Sequence, residues 1–259
     1  MLILAQISDT HVDNGPRAHE RTRAVLAHLA ALPGLARIDA LLISGDIADN
    51  GLVAEYEEAA SLFDLPLPIM TLPGNHDVRA AYRTVFLGVA DPADPTESLD
   101  PAAPINQTAE VGDAVFLLGD STIPGEHPGY LADETLAWME AELERFAADR
   151  PVFICFHHPP VDLYVPFIDG IRQTGEDRLA ALIERHPRIV AVLCGHAHTA
   201  AATTFAGRPL LVAPGVVSTV LLPWEEDSDL VDLAAPPGIA FHVLDDERRL
   251  TTHYRTVAV

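Results

Sequence analysis

Lysine is absent from this chain. All 16 basic residues are arginine, set against 38 acidic residues, and the formal charge is −22 over 259 residues. That average field repels a polyanion, so duplex nucleic acid is excluded as an expected partner. It does not exclude a small phosphate ester, because bound divalent cations reverse the local sign. Cysteine is nearly absent too. Cys155 and Cys194 both lie in apolar runs, VFICF and IVAVLC, which reads as reduced, buried core and not as a disulfide framework or a working thiol. No hydrophobic run approaches the length of a membrane span. The apolar start, MLILAQISD, lacks a basic lead and a small-residue cleavage site. It is expected to be a first strand and the protein cytoplasmic.

Hydrophobic residues make up 49% of the chain, enough for a large packed core. Short β-branched or leucine-rich runs predict strands at Leu2–Ile7, 40–43, 68–72, Ala114–Leu118, 152–156 and Ile189–Cys194. Helical periodicity predicts helices over 17–32, 51–63, 172–185 and a segment capped by Asp133, whose apolar stripe is Leu136, Met139, Leu143 and Phe146. Toward the C-terminus, Ala201–Phe205, 209–213, 239–244 and 250–257 read as antiparallel strands, with turns at 206–208 and 245–249. A βαβαβ start followed by antiparallel hairpins predicts an α/β fold of two packed mixed sheets flanked by helices. One domain, residues 1–259, is expected. Residues 91–104, 124–130 and 217–238 read as long loops. The last of these, with its apolar run 216–224, would cap a pocket, form a homodimer contact or supply a core strand.

Five polar clusters each follow one of the apolar runs: Asp9-Thr10-His11, Gly45-Asp46-Ile47-Ala48-Asp49, Gly74-Asn75-His76-Asp77, His157-His158 and Gly195-His196-Ala197-His198. In α/β sheets ligands gather where strands end, so all five are expected to converge on one pocket. Asp9/His11 and His196/His198 are i, i+2 pairs, which extended backbone would aim to one side. Gly45, Gly74 and Gly195 allow tight turns and close backbone approach. Imidazole mixed with carboxylate and amide oxygen suits Mn²⁺, Fe or Zn²⁺ better than Ca²⁺ or a structural thiolate zinc.

In that order the five clusters resemble the calcineurin-like metallophosphoesterases, whose pattern is D-x-H, GD-x-x-D, GNH(D/E), H and GH-x-H. The match runs from residue 9 to residue 198. The resemblance implies a four-layer α/β/β/α sandwich with two metal ions, Mn²⁺, Fe²⁺/Fe³⁺ or Zn²⁺. Asp9, His11 and His198 would hold one metal, Asn75, His157 and His196 the other, and Asp46 would bridge them. It also implies in-line attack of a metal-activated hydroxide on phosphorus, with His76 offsetting charge or protonating the leaving group. Asp77, next to His76, is expected to orient that ring or to cap a helix. Asp49 is expected to support a ligand or cap a helix. The second histidine of HHPP, His158, stays open between metal and structure, and His127 between substrate and solvent. His19 and His28 are expected to be solvated on a helix, and His186, His242 and His253 to be structural. Asn14, Arg17 and Tyr130 are open substrate contacts.

Gly129-Tyr130-Leu131, Leu136-Ala137-Trp138 and Pro236-Pro237-Gly238-Ile239 resemble the bacterial cyclic-nucleotide phosphodiesterase and glycerophosphodiesterase branch. The implied substrate is a small phosphodiester, with 3′,5′-cyclic AMP first. A phosphomonoesterase is the enzymatic alternative. A metal-free interaction scaffold is the alternative of another class, and it would show gaps among the ligand positions. None is seen.

Overall fold

The structure is a computed structural model describing residues 1–89, 100, 102–225 and 230–259. Most of the expected loop 91–104, and residues 226–229 of the expected loop 217–238, lie outside the described residues.

In chain order the elements are β1 (Leu2–Ile7), α1 (Pro16–Ala30), β2 (Ala40–Ser44), α2 (Val53–Leu62), β3 (Ile69–Leu72), α3 (Arg79–Phe86), β4 (Gln107–Val111), β5 (Ala114–Leu118), β6 (Gly129–Tyr130) and α4 (Asp133–Arg145). There follow β7 (Val152–Cys155), α5 (Pro166–Asp169), β8 (Gln173–Thr174), α6 (Glu176–Arg185), β9 (Ile189–Cys194), β10 (Ala201–Phe205), β11 (Arg208–Val212), β12 (Thr219–Val220), β13 (Val231–Asp232), β14 (Gly238–Leu244) and β15 (Leu250–Thr256). One sheet has the order β15-β14-β1-β2-β3, the other β10-β11-β9-β7-β5-β4. Both are mixed. β1, β2 and β3 run parallel, as do β5, β7, β9 and β11, and antiparallel strands complete the edges.

Strand alternation builds the layers. Leu4, Leu42, Phe116, Leu118, Phe153 and Leu193 point inward and share one core between the sheets. Within it the rings of Phe116 and Phe153 stack at 4.9 Å. The intervening residues point outward. Ala5, Ile7, Leu41 and Ile43 pack with Val25, Leu29, Tyr56 and Tyr82 of α1, α2 and α3. Val115, Leu117 and Ile154 pack with Met139, Leu143, Leu179 and Leu182 of α4 and α6. The result is an α/β/β/α sandwich.

Three sequence expectations need correction. Ala132, not Asp133, is the N-cap of α4; Asp133 and Glu134 lie in its first turn, where their charge favours the helix dipole. α6 begins at Glu176 and not at 172, because Gly175 is left-handed (φ 67°) and Gln173–Thr174 pair with Gly129–Tyr130. α3 and β4 were unanticipated. The first is only eight residues long, and the second, QTAEV, is an edge strand with weak alternation.

The cysteines are free and buried in the core. Among the histidines assigned no role, His19 is not merely solvated; its Nδ1 meets Glu58 Oε1 at 2.6 Å. His186 pairs with Glu140 at 2.7 Å. His242 is 1% exposed and anchors a polar chain through the inter-sheet layer. Its Nε2–H donates to Gln6 Oε1 (2.8 Å) and its Nδ1 accepts from Thr252 Oγ (2.8 Å). Gln6 Nε2 then donates to Ser44 Oγ (2.8 Å) and to the Cys194 carbonyl (2.9 Å), tying β14 through β1 to the ends of β2 and β9.

Burial pulls the His242 imidazolium down to about 3. The unfolded chain therefore binds a proton near pH 6.5 that the native state refuses. This group's contribution is complete above pH 6.5 and is lost as pH falls toward 3. Between pH 6.5 and pH 4 it should cost about 3 kcal/mol of stability. Urea unfolding across that range should show a shallower pH slope for His242→Gln than for wild type. Parallel slopes would contradict the assignment.

Candidate metal centre

The five clusters lie directly after β1, β2, β3, β7 and β9, so the two sheets deliver them to one end of the sandwich. The local backbone is unusual. Among the described residues nine non-glycine residues have positive φ, and five of them are Asp9 (57°), His11 (41°), Asp46 (48°), His196 (69°) and His198 (51°). Left-handed backbone is uncommon for such residues and gathers at functional sites. It also corrects the expectation that extended backbone aligns Asp9 with His11 and His196 with His198. The pairs converge through left-handed turns. Backbone bonds lock these turns together: Asp9 N donates to Gly45 O (3.1 Å), His11 N to Asp46 O (2.9 Å) and Val217 N to Asp9 O (3.1 Å). Gly45 has φ +97°, and a Cβ there would stand 2.4 Å from His157 Nδ1, so only glycine lets the β2 exit pass beneath that ring.

Asp9, His11, Asp46 and His198 bring donor atoms within 4.8 Å of one another, and so do His157, His158 and His196. His11 Nε2 lies 3.1 Å from His198 Nε2 and 3.4 Å from Asp46 Oδ2. His198 Nε2 is 3.5 Å from Asp9 Oδ1. His157 Nε2 is 3.3 Å from the same Asp46 Oδ2 and 3.8 Å from Asp9 Oδ1. Asp46 thus sits between the two groups.

The opposite ring nitrogens are already committed. His157 Nδ1–H donates to the Ser44 carbonyl (2.7 Å) and His11 Nδ1–H to Asp49 Oδ1 (3.0 Å), while His198 Nδ1 meets Ser218 Oγ (2.8 Å). These partners turn Nε2 of His157 and His11 inward, toward Asp46 Oδ2. Four atoms in the pocket are buried with no hydrogen-bond partner: Asp9 Oδ1, Asn75 Oδ1, His157 Nε2 and His196 Nε2. Orphaned buried acceptors are costly. Here they converge, all four offer lone pairs, and a cation would satisfy them together. The donor set therefore fits metal ions.

The electrostatics agree. Burial disfavours the His157 imidazolium, but Asp46 and Asp9 outweigh it and push the ring up to about 9. Burial also opposes the Asp46 charge, yet His157 and His11 hold that carboxyl well below the usual range. Burial and the neighbouring His158 and His157 push His196 well down.

His76 stands at the rim, its side chain about one-third exposed. Its ring meets that of His11 edge-on at 4.5 Å. Its Nδ1–H donates to the Asp49 carbonyl (2.8 Å), and its backbone N–H to Asp46 Oδ1 (2.9 Å). The orienting partner is therefore a main-chain oxygen, which sequence does not single out, and not the expected Asp77. Asp77 accepts from the amides of Ile47, Ala48 and Gly74 and from the Tyr56 hydroxyl, at 2.8–3.1 Å. It clamps the β2 and β3 exits to each other. Burial, then the Asp46 charge, pushes its carboxyl up to about 6.

Both nitrogens of His158 are occupied, Nδ1 by Ser121 Oγ (2.8 Å) and Nε2 by the His127 carbonyl (3.1 Å). It fixes the 124–130 loop. His127 is exposed, its ring 6.4 Å from that of His76. Arg17 donates to the carbonyls of Val217 and Leu233, and Arg21 to those of Val216 and Ala235. Both arginines staple the base of the β12–β13 hairpin, Arg17 through Nη2. Val216 and Val220 are buried, whereas Trp224 is 69% exposed, so the run 216–224 is not a core strand throughout. Tyr130 carries the Arg178 guanidinium over its ring at 4.8 Å. Asn14 is exposed.

A model of the calcineurin-like phosphoesterases matches residues 2–200. This chain belongs to that family. Among curated calcineurin-like relatives, the glycerophosphodiester phosphodiesterase GpdQ of Enterobacter lignolyticus is 33% identical over 93% of this chain and 86% of its own length. The 3′,5′-cyclic adenosine monophosphate phosphodiesterase CpdA of Pseudomonas aeruginosa is 29% identical over 97% and 88%. The fold is shared with a dimetal phosphatase from Danio rerio, at a TM-score of 0.71 and 14% identity over 98% of this chain and 96% of that one. As a member of this family the chain is a metal-dependent phosphoesterase.

Proposed function

We propose that the chain hydrolyses small phosphodiesters at a two-metal centre, with a 3′,5′-cyclic nucleotide as the first substrate and a glycerophosphodiester as the second reading. The observation that carries the two-metal reading is the set of four orphaned acceptors around a carboxylate placed between two histidine groups. Asp9, His11 and His198 would hold one ion and Asn75, His157 and His196 the other, with Asp46 placed to serve both. Bound there, two ions supply Lewis acidity toward a phosphoryl oxygen and an activated water near neutral pH.

The chain's own residues do the rest. Ser44, Asp49 and Ser218 fix the ligand rings. Asp49's carbonyl holds the Nδ1–H of His76, which leaves Nε2 to carry a proton to the leaving oxygen or to a phosphoryl oxygen. Substrate choice follows the relatives' names. GpdQ is named for glycerophosphodiesters and CpdA for cyclic AMP, and similarity to the two is comparable. The metals are Mn²⁺, Fe or Zn²⁺ by donor type. A cytoplasmic site of action, one folded domain over 1–259, no duplex nucleic acid partner and a homodimer contact through the 217–238 segment belong to the same reading. No helix among the described residues is long and apolar enough to cross a membrane.

Metal-loaded protein should turn over bis(p-nitrophenyl) phosphate and cyclic AMP faster than p-nitrophenyl phosphate, by roughly tenfold or more in kcat/KM. A monoester preference of that size would overturn the diesterase reading. Faster turnover of glycerophosphodiesters than of cyclic AMP would move the assignment to the second substrate.

A further inference from the structure

At the end of the sandwich away from the metal centre, three arginines line one cavity of about 240 Å³. Arg188 immediately precedes β9, Arg208 opens β11, and Arg248 lies in the turn between β14 and β15. The remaining lining is Pro187, Ile189, Val190, Pro209 and Leu250, with no carboxylate among them, although Arg248 also lines a neighbouring cavity with Asp39, Asp113, Asp245 and Asp246. In a chain with 38 acidic residues to 16 arginines this is anomalous. Among the described residues seven other arginines have a carboxylate within 4 Å, while Arg17, Arg21, Arg23, Arg37 and Arg255 do not.

The arginines of the cavity do not. Arg208 and Arg248 make no side-chain hydrogen bond or ion pair among the described residues, and Arg208 Nε is buried without a partner. Arg188, 9% exposed, donates Nη1 to the carbonyls of Phe146 (2.9 Å) and Ala147 (2.5 Å). Its other guanidinium nitrogens make no hydrogen bond among the described residues. Burial alone lowers it, with no anion to offset the cost. Asp245 shares the turn with Arg248 but accepts from Arg249 instead.

Three arginines from separate segments thus line one cavity that has no carboxylate among its lining. Guanidinium forks match a phosphate group bidentately. We propose that Arg188, Arg208 and Arg248 form a binding site for the phosphate group of a small anion, either inorganic phosphate or a phosphomonoester. The site is separate from the metal centre. The six residues of β9 span about 20 Å between Arg188 and the metal-ligand turn.

The test is calorimetric titration of metal-loaded protein with inorganic phosphate and, separately, with glycerol 3-phosphate. Wild type should bind at a metal-dependent site and at a second site that survives chelation. In Arg208→Gln/Arg248→Gln the chelation-resistant event should weaken by about tenfold or more for each arginine removed, with turnover of bis(p-nitrophenyl) phosphate unchanged. Tighter binding of the ester would identify the source as a phosphomonoester, and tighter binding of inorganic phosphate the free anion. If the double variant does not fold, Arg248→Gln alone, at an exposed turn, should still weaken the same event. Chelation-resistant binding that is absent from wild type or indifferent to these substitutions overturns the proposal. So does displacement by chloride as effective as displacement by phosphate, which would mark a diffuse positive patch.

Discussion

Asp46→Ala should reduce phosphodiester turnover on the order of 10³-fold and lower bound metal from two ions per chain to one or none. No other side chain in the pocket stands so close to both donor groups. One Asp46 oxygen lies 3.4 Å from His11 Nε2 and 3.3 Å from His157 Nε2, and the other accepts the amide of His76. On the proposed assignment, losing the carboxylate removes the charge shared by two metal positions, and it frees the backbone that carries His76. It also strips His157 of the anion that, together with Asp9, favours its charged form. A ligand to one metal alone, such as His198, should leave the other position occupied. Elemental analysis and turnover of bis(p-nitrophenyl) phosphate on the two variants separate these outcomes. Turnover retained in Asp46→Ala would contradict the shared role.

The second large effect comes from a residue with no functional group. A Cβ on Gly74 would stand 2.2 Å from Asp46 Oδ1, 2.5 Å from Asp46 N and 2.8 Å from His157 Nε2. The backbone at Gly74 is not left-handed, so alanine is tolerated conformationally and the whole effect is contact. Relief requires both the Asp46 carboxylate and its backbone at the β2 exit to move by about 1 Å, and a misplacement of that size costs about 10²-fold in rate. Gly74→Ala should therefore lose about 10²-fold in kcat with its circular dichroism unchanged. Gly88→Ala is the matched control, because none of the described residues lies within 4 Å of the Cβ there. It should keep full turnover, although its own positive φ will cost some stability. Equal turnover in Gly74→Ala and wild type would mean that the close approach does not constrain the centre.

Much of the site was legible because metal-ligand chemistry is written in residue types. Asp9, His11, Asp46, Asn75, His157, His196 and His198 follow apolar runs, and those runs are strands because their β-branched and leucine-rich composition is local information. The same locality explains the misses. α3 and β4 have short or weak patterns, and Arg172–Thr174 join a strand pair that only a distant partner, Gly129–Tyr130, makes favourable. His76 beside Asp77 suggested a paired imidazole and carboxylate. The carboxylate turns away because three amides from the two neighbouring strand exits and the Tyr56 hydroxyl of α2 claim it.

The sequence by itself determined the candidate donor residues, their order along the chain and the strands that carry them, since residue chemistry and hydrophobic period need no distant partner. Tertiary structure decided which nitrogen of each histidine is free, because the atoms that occupy the other nitrogen, Ser44 O, Asp49 Oδ1 and Ser218 Oγ, come from other loops. It decided the left-handed turns at five ligand positions, which hydrogen bonds between strand exits hold against local preference. It also gathered Arg188, Arg208 and Arg248, dispersed in an acidic sequence, around one cavity. Hydrogen-bond partnering and charge convergence are properties of space, and no local pattern encodes them.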